Sequence, residues 1–507
     1  MTPNSPEEVY LRARADFAAD TGAADAVSRL EAAARELGGP VLSAEAMGAA
    51  RARASSPEAL VETGYLLAVA LRDLGEVETA FGLMNEVCAA RDDPGLDQFR
   101  VVLGLYRDGA DEAFLSELRG WFYARARARR AYTPLRPRRD AHDGPLRVAF
   151  LGWDPILPFY AALLVPLLRT LDPARVRPIA IVPDAPEQAL APLRALGIDA
   201  RGLAVGGPWA GERHALAARE LAALELDVLV DLGDCLGPTA AIPLHRVAPI
   251  QVTWQNMLGP CPDPVFDALI GNAALYPGGP VYAGKARLMP SDLFVYDPYL
   301  FGEGPPPPAP APCLREGRVT FGSLSALYKM GESSLALWAK VVRAVPGSRL
   351  RLGNAGFADA RVRARVSAIL ARHGVDPTRV DFGVQSGWPG YLAGYQGIDI
   401  ALATVPVAGG TTMFEAAYQG VPILSRVTPT PLGRIGRWIE AATGRPGTAH
   451  DDDDSLIETA KAWASDPGEL ARWRAGARAR LDAKRALDAP RQARAFEAIL
   501  AELTGAR

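Results

Sequence analysis

The stretch VAGGTTMFEAAYQGVP, residues 407–422, places two glycines and two threonines before a short predicted helix. Its interpretation decides the predicted fold. One interpretation is helix punctuation, in which the glycines permit a sharp turn, Thr412 caps the helix and Glu415 completes a capping box. The other is an anion site, since a bare backbone and two hydroxyls lie at a helix start, where a phosphate binds well. Taken alone, the stretch favours the capping box, so its neighbours must decide.

Short apolar segments alternate with helical ones on both sides of this stretch. Such alternation indicates βα units and a parallel sheet. The Pro-rich tract GEGPPPPAPAP, residues 302–312, separates two groups of these units. The sequence therefore predicts two Rossmann-like halves, with a ligand in the crevice at the carboxyl ends of their strands. The predicted strands are LRVAFLGW at 146–153, PIAIVP at 178–183, DVLVDLG at 227–233, PIQVTW at 249–254, RVTFGSL at 318–324, RLRLGN at 349–354, RVDFGV at 379–384, DIALATV at 399–405 and VPILSR at 421–426.

The chain ahead of these units, from residue 5 to about 130, is predicted to be helical. Within it, residues 64–94 resemble one tetratricopeptide unit, with Gly75 and Ala80 at the turn and close-packing positions of that repeat. Only one clear copy is found, so a helical domain is predicted rather than a full solenoid. The predicted domains are an all-α tetratricopeptide-like domain at 1–140, one Rossmann-like half at 145–301, the other at 314–455 and C-terminal helices at 456–507.

The bulk composition excludes several classes of protein. A net charge of -3 and a pI near 6.1 give no overall field that attracts nucleic acid or anionic lipid. The basic run at 119–140 is interpreted as a solvated helix and linker. The N-terminus lacks a secretory pattern, and no apolar run approaches the roughly 20 residues that span a bilayer. We expect a cytoplasmic protein without nucleic-acid or membrane partners.

The strand context turns the first stretch into a predicted nucleotide site. The segment 399–405 reads as a strand that leads through Pro406 into the glycines, as in sheets whose helix N-termini bind phosphate. The glycines allow close backbone approach, and the two threonines add hydroxyl donors. Glu415 is a poor neighbour for phosphate but suits a ribose diol. The predicted donor-binding residues are Gly409, Gly410, Thr411, Thr412 and Glu415.

Four segments carry a specific resemblance. DIALATVPVAGGTTMFEAAYQGVPILS, residues 399–425, looks like the C-terminal signature of the O-GlcNAc transferase and SPINDLY-like glycosyltransferases, glycosyltransferase family 41. Three more match in order, at residues 245–260, 319–352 and 379–402. The similarity runs from about 145 to 490, and a helical repeat domain ahead of the catalytic part is also that family's arrangement.

The resemblance implies a GT-B fold, with two facing Rossmann-like domains behind the helical domain, and an inverting enzyme without metal or other cofactor. It implies that GlcNAc, glucose or a related hexose moves from a UDP-linked donor to a protein side chain. The half at 145–301 would face the acceptor, the half at 314–455 would bind the donor, and the N-terminal helices would bind the protein or peptide acceptor. Bacterial relatives of this type suggest a surface or flagellar protein as acceptor.

The same resemblance suggests roles for single residues. Lys329, in LYKM, would neutralise the diphosphate as it leaves. Gln251 and Trp254 fall where the family packs the floor of the crevice, and a structural role for both is equally compatible with their positions.

The chain departs from the family where two histidines are usual. The S-S-D-x-x-x-H segment reads GWDPILPFY here, with Asp154 kept and Pro158 near the histidine position. The D-L-x-G-H-T segment reads DLGDCLGPT, with Asp234 or Cys235 near that place. Asp154 and Asp234 are therefore the predicted base or acceptor-orienting groups. The alternative for each is a strand-end residue that caps a neighbouring helix.

Two other functions remain open at this stage. The missing histidines also fit a catalytically silent GT-B-like scaffold that recruits partners through its helices. A sugar epimerase can share the fold, but it has no need of a repeat-like N-terminal domain. The acidic run DDDD at 451–454 is interpreted as a solvated loop before a helix rather than as a metal site.

Overall fold

The structure is a computed structural model of the chain. It describes residues 5–130, 132–135, 144–152, 158–206, 211–254, 258–259, 264–277, 284–289, 296–297, 300, 306–385, 387–484 and 486–505. The chain divides into two compact units. The first unit comprises Met1–Ala110, Pro307–Thr428 and Pro446–Ala477, and the second comprises Asp111–Pro306, Pro429–Arg445 and Arg478–Arg507.

Helices and strands occupy most of the described residues. The helices are α1 Pro6–Ala19, α2 Ala24–Arg51, α3 Pro57–Asp73, α4 Val77–Ala90, α5 Pro94–Gly104, α6 Glu112–Arg129, α7 Pro158–Thr170, α8 Glu187–Ala195, α9 Gly211–Ala222, α10 Cys313–Glu316, α11 Glu332–Ala344, α12 Ala360–Arg372, α13 Gly387–Gly394, α14 Gly410–Tyr418, α15 Ile435–Thr443, α16 Asp453–Ala464, α17 Pro467–Ala475, α18 Ala477–Ala483 and α19 Ala489–Thr504. The strands are β1 Leu146–Leu151, β2 Val176–Pro183, β3 Asp199–Leu203, β4 Val228–Asp231, β5 Ile250–Trp254, β6 Ala268–Asn272, β7 Ala286–Met289, β8 Thr320–Ser323, β9 Arg349–Gly353, β10 Val380–Gly383, β11 Ile400–Leu402, β12 Ile423–Arg426 and β13 Ala449–His450.

The helices α1 to α5 form the helical region of the first unit. Ser5 caps α1 in a capping box with Glu8, and the side chains of Ser56 and Asp93 cap α3 and α5. Gly75 takes a φ of 78° between α3 and α4, so the predicted helical hairpin is confirmed. Within the described part of the chain, no helix combines the length and the hydropathy that crossing a bilayer requires.

Each unit contains one parallel sheet. The second unit has a seven-stranded sheet in the order β3-β2-β1-β4-β5-β6-β7, and the first has a six-stranded sheet in the order β10-β9-β8-β11-β12-β13. Both orders run outward from the first strand in two directions, which is the doubly wound arrangement. The predicted pair of Rossmann-like halves is therefore confirmed, and so are the nine predicted strands.

The sequence analysis missed four strands, β3, β6, β7 and β13. The first is interrupted by Arg201 and Gly202, β6 ends in Gly-Asn as a turn does, and β13 has two residues. Strand β7, ARLM, is too short to show a period. These segments are strands because they pair with neighbouring strands, and such pairing is not visible in their own composition.

The compact units differ from the predicted domain boundaries in two places. The predicted helical domain at 1–140 is divided after Ala110, because α6 belongs to the second unit. The predicted C-terminal helices at 456–507 are also divided: α16 and α17 lie in the first unit, and α19 lies in the second. Most of the predicted linker after α6, residues 136–143, lies outside the described residues.

Helix α19 completes the core of the second unit. Phe496 is fully buried, stacks on Phe150 with ring centroids 5.7 Å apart, and lies 5.2 Å from the Trp254 ring. Gln251 is also fully buried, and its amide donates to the carbonyl oxygens of Pro243 and Val265 at 2.9 Å each. Gln251 and Trp254 thus have structural roles, the alternative that the sequence left open.

Truncation of Phe496 should destabilise the second unit selectively. Phe496→Ala removes a ring packed against two others, which typically costs about 3–5 kcal/mol in a core. We expect the calorimetric transition of the second unit to fall by roughly 10 °C. Arg494→Ala, at an exposed position of the same helix, is the matched control and should leave the transition in place. Equal effects of the two substitutions would contradict the assigned packing.

Candidate functional site

The turn at Gly409 begins α14 with its backbone donors uncovered. Gly409 has a φ of 82°, a left-handed conformation that favours glycine, and α14 follows directly at Gly410. Among the described residues, no side chain caps this helix start. The first N–H groups of a helix have no partner within it and lie at its positive end. The turn therefore has the features that an anion site requires.

The predicted capping box at this helix is wrong. The helix begins at Gly410, three residues before the start that a cap at Thr412 would give, so Thr412 is its third residue and not its N-cap. Glu415 lies in the second turn rather than the first. The glycines alone make the turn, because their freedom at positive φ lets the helix start before the first threonine. Both threonines are half-buried at the helix start.

The structure brings Lys329 to this turn. Lys329 ends a short 3-10 turn between β8 and α11, and a Cβ placed on Gly409 would lie 3.6 Å from its Nζ. Within the described ranges, Lys329 forms no ion pair. Removal of its amine from water lowers the pKa of Lys329 to about 8. Lys329 and Gly409, which are 80 positions apart in the sequence, thus lie close together.

A buried serine holds the lysine turn in register with the strand that leads to Gly409. Ser334 is fully buried, and its hydroxyl oxygen accepts the N–H of Val405 at 2.9 Å. The same hydroxyl lies 2.9 Å from the carbonyl oxygen of Lys329, to which it donates. The sequence analysis did not select Ser334, since a serine in the first turn of a helix reads as an ordinary helix-start residue.

Three aromatic residues, two from helix α13 and one from the 3-10 turn that follows it, pack against α14. The indole N–H of Trp388 donates to Glu415 Oε1 at 3.0 Å, and Glu415 is only 3% exposed. Tyr395 donates its hydroxyl to the carbonyl oxygen of Thr412 at 2.8 Å, and the hydroxyl of Tyr391 lies 3.0 Å from that of Tyr395. Burial, and then the charge of Glu415, raise the pKa of both tyrosines well above the usual value, so both remain neutral donors.

This aromatic group gives Glu415 a contact that the sequence analysis missed. The residues Trp388, Tyr391 and Tyr395 are spaced three and four apart, which is the signal that could have placed them on one helix face. The carboxylate of Glu415 anchors α13 to α14 through Trp388. Its ribose contact stays a prediction.

The predicted catalytic carboxylates lie in the second unit. Asp154 is outside the described residues. Asp234 is fully buried, accepts the hydroxyl of Tyr123 at 2.7 Å and pairs with the guanidinium of Arg119, which is also fully buried. It also accepts the N–H of Cys235 at 2.6 Å. A carboxylate occupied in this way is poorly placed to take a proton from an acceptor.

The contacts of Asp234 favour a structural role, made by an ion pair and a hydrogen bond to α6 and not by the helix cap that was the stated alternative. Arg119 and Tyr123 both come from α6, so Asp234 fastens that helix to the end of β4. The sequence analysis had placed these aromatic and basic residues in a solvated segment. Periodicity alone could not show that the face of this helix with Arg119 and Tyr123 is buried.

Asp231, the last residue of β4, is a buried carboxyl that the sequence analysis did not select. Its Oδ1 accepts the backbone N–H groups of Gly233, at 3.1 Å, and of Asp234. Among the described residues, its Oδ2 has no hydrogen-bond partner. Burial, and then the negative charge of Asp234, raise the pKa of Asp231 to about 7.

The stability of the protein should therefore depend on the proton of Asp231. The native pKa is raised from 3.8 to about 7, so the native state binds more protons than the unfolded state between these values. The stability contributed by this group is fully present below about pH 4 and is lost as the pH rises through 7. Asp231→Asn keeps an acceptor at Oδ1 without the charge, and it should melt higher than the wild type at pH 8.

This gain should shrink as the pH falls and should be absent at pH 4. Melting temperatures between pH 4 and pH 9 measure it. The exposed Asp482→Asn in the same unit is the control and should follow the wild type throughout. A difference between Asp231→Asn and wild type that does not change with pH would contradict the assigned titration.

The acidic run 451–454 has structural contacts. Asp452 caps α16 by accepting the N–H of Ser455 at 2.7 Å, and Asp453 lies 2.8 Å from Lys340. Within the described ranges, no three His, Cys, Asp or Glu side chains are grouped to hold a metal ion. Asp453 and Asp454 are the first residues of α16, so the prediction of a loop before a helix holds only for residues 451 and 452.

Comparison with known structures defines the class of fold. The chain superposes on a mutant of the Thermobaculum terrenum O-GlcNAc transferase with a TM-score of 0.80 and 24% identity, over 98% of this chain and 93% of that one. The two doubly wound sheets and this likeness establish a GT-B fold behind a helical N-terminal region.

Comparison of sequences gives relatives of higher identity over about half of this chain. The chain is 30% identical over 284 residues to the probable UDP-N-acetylglucosamine–peptide N-acetylglucosaminyltransferase SPINDLY of Solanum lycopersicum, over 54% of this chain and 30% of that protein. It is 27% identical over 277 residues to the Arabidopsis thaliana protein of the same description. The chain thus matches about 30% of the length of these relatives. No protein-family model matches it. The resemblance to the O-GlcNAc transferase and SPINDLY-like family is confirmed.

Proposed function

We propose that this protein transfers a hexose from a nucleotide-sugar donor to a protein side chain. One observation carries the proposal: the ammonium of Lys329 lies beside the uncovered N-terminus of α14, and no described carboxylate pairs with it. Two positive groups side by side repel each other until an anion binds between them. A diphosphate is such an anion, and the sequence relatives are named for transfer from a nucleotide sugar to peptides.

The predicted donor-binding residues would contact different parts of the nucleotide. The N–H groups of Gly410 and Thr411 and the hydroxyls of Thr411 and Thr412 would donate to the phosphate oxygens. Lys329 would lie against the oxygen that bonds to the sugar. We keep Glu415 as the ribose-binding candidate, because the family resemblance places it beside the diphosphate and its carboxylate suits a ribose diol.

The position of Lys329 would stabilise the transition state more than the bound donor. In an inverting displacement the acceptor oxygen bonds to the anomeric carbon as the bond from that carbon to the phosphate oxygen breaks. The electron pair leaves with the diphosphate, which gains one negative charge, and the acceptor gives its proton to a base. Lys329 meets that added charge, so its interaction strengthens as the bond breaks.

The finer features of the reaction are also proposals. We infer a UDP-linked donor carrying GlcNAc, glucose or a related hexose, and a surface or flagellar protein bound by the helical region as acceptor. We propose that the reaction needs no metal, because the lysine and the helix N-terminus supply the positive charge that a divalent ion supplies in other transferases. Thermal stabilisation by a panel of UDP- and GDP-sugars would identify the donor.

Replacement of Lys329 should remove turnover without harming the fold. Lys329→Met keeps the apolar stem and deletes the ammonium, so transfer measured with EDTA present should fall about 100-fold to 1,000-fold. The melting temperature should not fall, because a desolvated charge is removed. The exposed Lys461→Met is the control and should retain full turnover. Undiminished transfer by Lys329→Met would contradict the proposed role.

The same lysine predicts how nucleotide affinity depends on pH. Its pKa is about 8 in the free protein, and a bound diphosphate raises that pKa by favouring the ammonium. Affinity for the nucleoside diphosphate should therefore be full below pH 8 and fall as the pH rises above it. Calorimetric titration from pH 6.5 to 9.5 tests this, and Lys329→Met should show a flat profile. A fall of equal size in that variant would count against Lys329.

A catalytically silent scaffold is the second candidate. It is favoured by the engagement of Asp234 with Arg119 and by the absence of both usual histidines from their segments. A scaffold would bind nucleotide but would neither hydrolyse the donor nor transfer its sugar to any peptide.

A further inference from the structure

The helical region contacts the lysine turn through bare backbone. A Cβ placed on Gly75, in the α3–α4 turn, would lie 2.8 Å from the Cα of Gly331. A Cβ placed on Gly331 would in turn lie 2.7 Å from the carbonyl oxygen of Gly75. Real Cβ contacts are not this short, so both positions require glycine. The helical region is therefore packed against the backbone two residues after Lys329.

Two polar contacts flank this glycine pair. Arg365 on α12 pairs with Glu76, next to Gly75. Ser333 at the start of α11 donates its hydroxyl to Asp108, which follows α5. These contacts fix the end of α5 and the α3–α4 turn against the segment that carries Lys329.

Tyr106 stands between these contacts and faces the lysine. It lies two residues beyond α5, where its N–H donates to the carbonyl oxygen of Leu103 at 3.0 Å. Its ring meets that of Tyr328 edge to face, with centroids 5.2 Å apart and planes at 80°. The Nζ of Lys329 is 5.9 Å from the centroid of Tyr106 and 5.8 Å from that of Tyr328. Both distances fall within the range of a cation–π interaction.

A cavity of about 400 Å³ opens beside the two rings. It is lined by the α3–α4 turn, by Tyr106 and Lys329, and by the segment 405–407 that leads to Gly409. Charged residues from three parts of the first unit line it as well, and each has a partner. The partners are Arg365 for Glu76, Arg107 for Glu78, Ser333 for Asp108 and Arg372 for Glu332. On this side of Lys329, the faces of the Tyr106 and Tyr328 rings are therefore the groups that remain to contact its ammonium.

We propose that Tyr106 is a positioning residue that holds the ammonium of Lys329 in place at the Gly409 turn. The helical region then completes the donor site, in addition to any recruitment of an acceptor. The consequence for catalysis depends on the proposed function, but the contact with Lys329 does not.

The proposal predicts how Lys329 responds to changes at Tyr106. Tyr106→Leu keeps an apolar side chain but loses the negative face that stabilises an ammonium, so the pKa of Lys329 should fall by about half a unit to one unit. Tyr106→Phe keeps the face and should leave that pKa unchanged. Tyr65→Leu removes a similar edge-to-face ring pair, with Phe99, elsewhere in the helical region and is the matched control.

Amine labelling measures this pKa without any turnover. Trace acetylation with isotopic acetic anhydride between pH 6 and pH 10, read by mass spectrometry, gives the pKa of each lysine. The chain has five, at 285, 329, 340, 461 and 484, so each is resolved and four serve as internal references. A lower pKa for Lys329 in Tyr106→Leu alone supports the proposal. An unchanged or higher value, or the same change in Tyr65→Leu, overturns it.

A double-mutant cycle on nucleotide binding tests the link to the donor site. The probes are UDP and GDP, with titration of wild type, Tyr106→Leu, Lys329→Met and the double variant. If Tyr106 acts through Lys329, Tyr106→Leu weakens binding about 3-fold to 10-fold in the wild type and has no further effect once Lys329 is methionine. The same weakening in both backgrounds would show a merely structural role and overturn the proposal. If neither nucleotide binds the wild type, the proposed function fails, and the labelling result alone decides the role of Tyr106.

Discussion

An ammonium held beside the positive end of a helix is the arrangement on which the site depends. Lys329 and the N-terminus of α14 carry charge of the same sign, and the burial that lowers the pKa of Lys329 makes their meeting costly. No described side chain relieves that cost with an opposite charge. In the proposed function, the fold maintains a place for an anion at the expense of stability, as functional sites commonly do. Several contacts of the first unit support this arrangement of Lys329 and α14.

That support comes from three directions. Ser334 joins the lysine turn to the strand that leads to Gly409, so the two halves of the site move together. Trp388 on α13 and Tyr395 just after it hold α14 in place by hydrogen bonds to Glu415 and to the carbonyl oxygen of Thr412. The helical region packs on the remaining side, where Gly75 meets Gly331 backbone to backbone. A site built from adjacent loops of parallel strands needs such bracing, because its backbone lies outside the sheet hydrogen bonds.

The parts that could be predicted are those that depend on local sequence. Apolar runs and glycines identified nine strands, the two doubly wound halves and the Gly409 turn, because period and positive φ are properties of a few consecutive residues. The resemblance added Lys329, which nothing in its own neighbourhood marks out. The cap at Thr412 failed since two glycines allow a helix to start earlier than the first side chain able to cap it.

The roles of the buried carboxylates could not be predicted from the sequence for a different reason. The environment of Asp234 is made by Arg119 and Tyr123, more than a hundred residues earlier, on a helix whose basic composition suggests solvent. Asp231, three positions away, acquires its raised pKa from burial first and then from the negative charge of Asp234. Such electrostatics are tertiary by nature and leave no periodic signal in the chain.

The choice of lysine at position 329 follows from the same reasoning. Only five of the 55 basic Lys and Arg residues in this chain are lysines, so arginine is its usual cation. A guanidinium keeps its charge at all relevant pH values and spreads it over a planar group that needs several partners. At 329 the cation has aromatic rings on one side and a glycine turn on the other, with room for a point charge but no described carboxylate to satisfy a fork of donors. A compact ammonium fits this space. It can also lose part of its charge while the site is empty and regain it when a diphosphate binds. The guanidinium of an arginine can do neither.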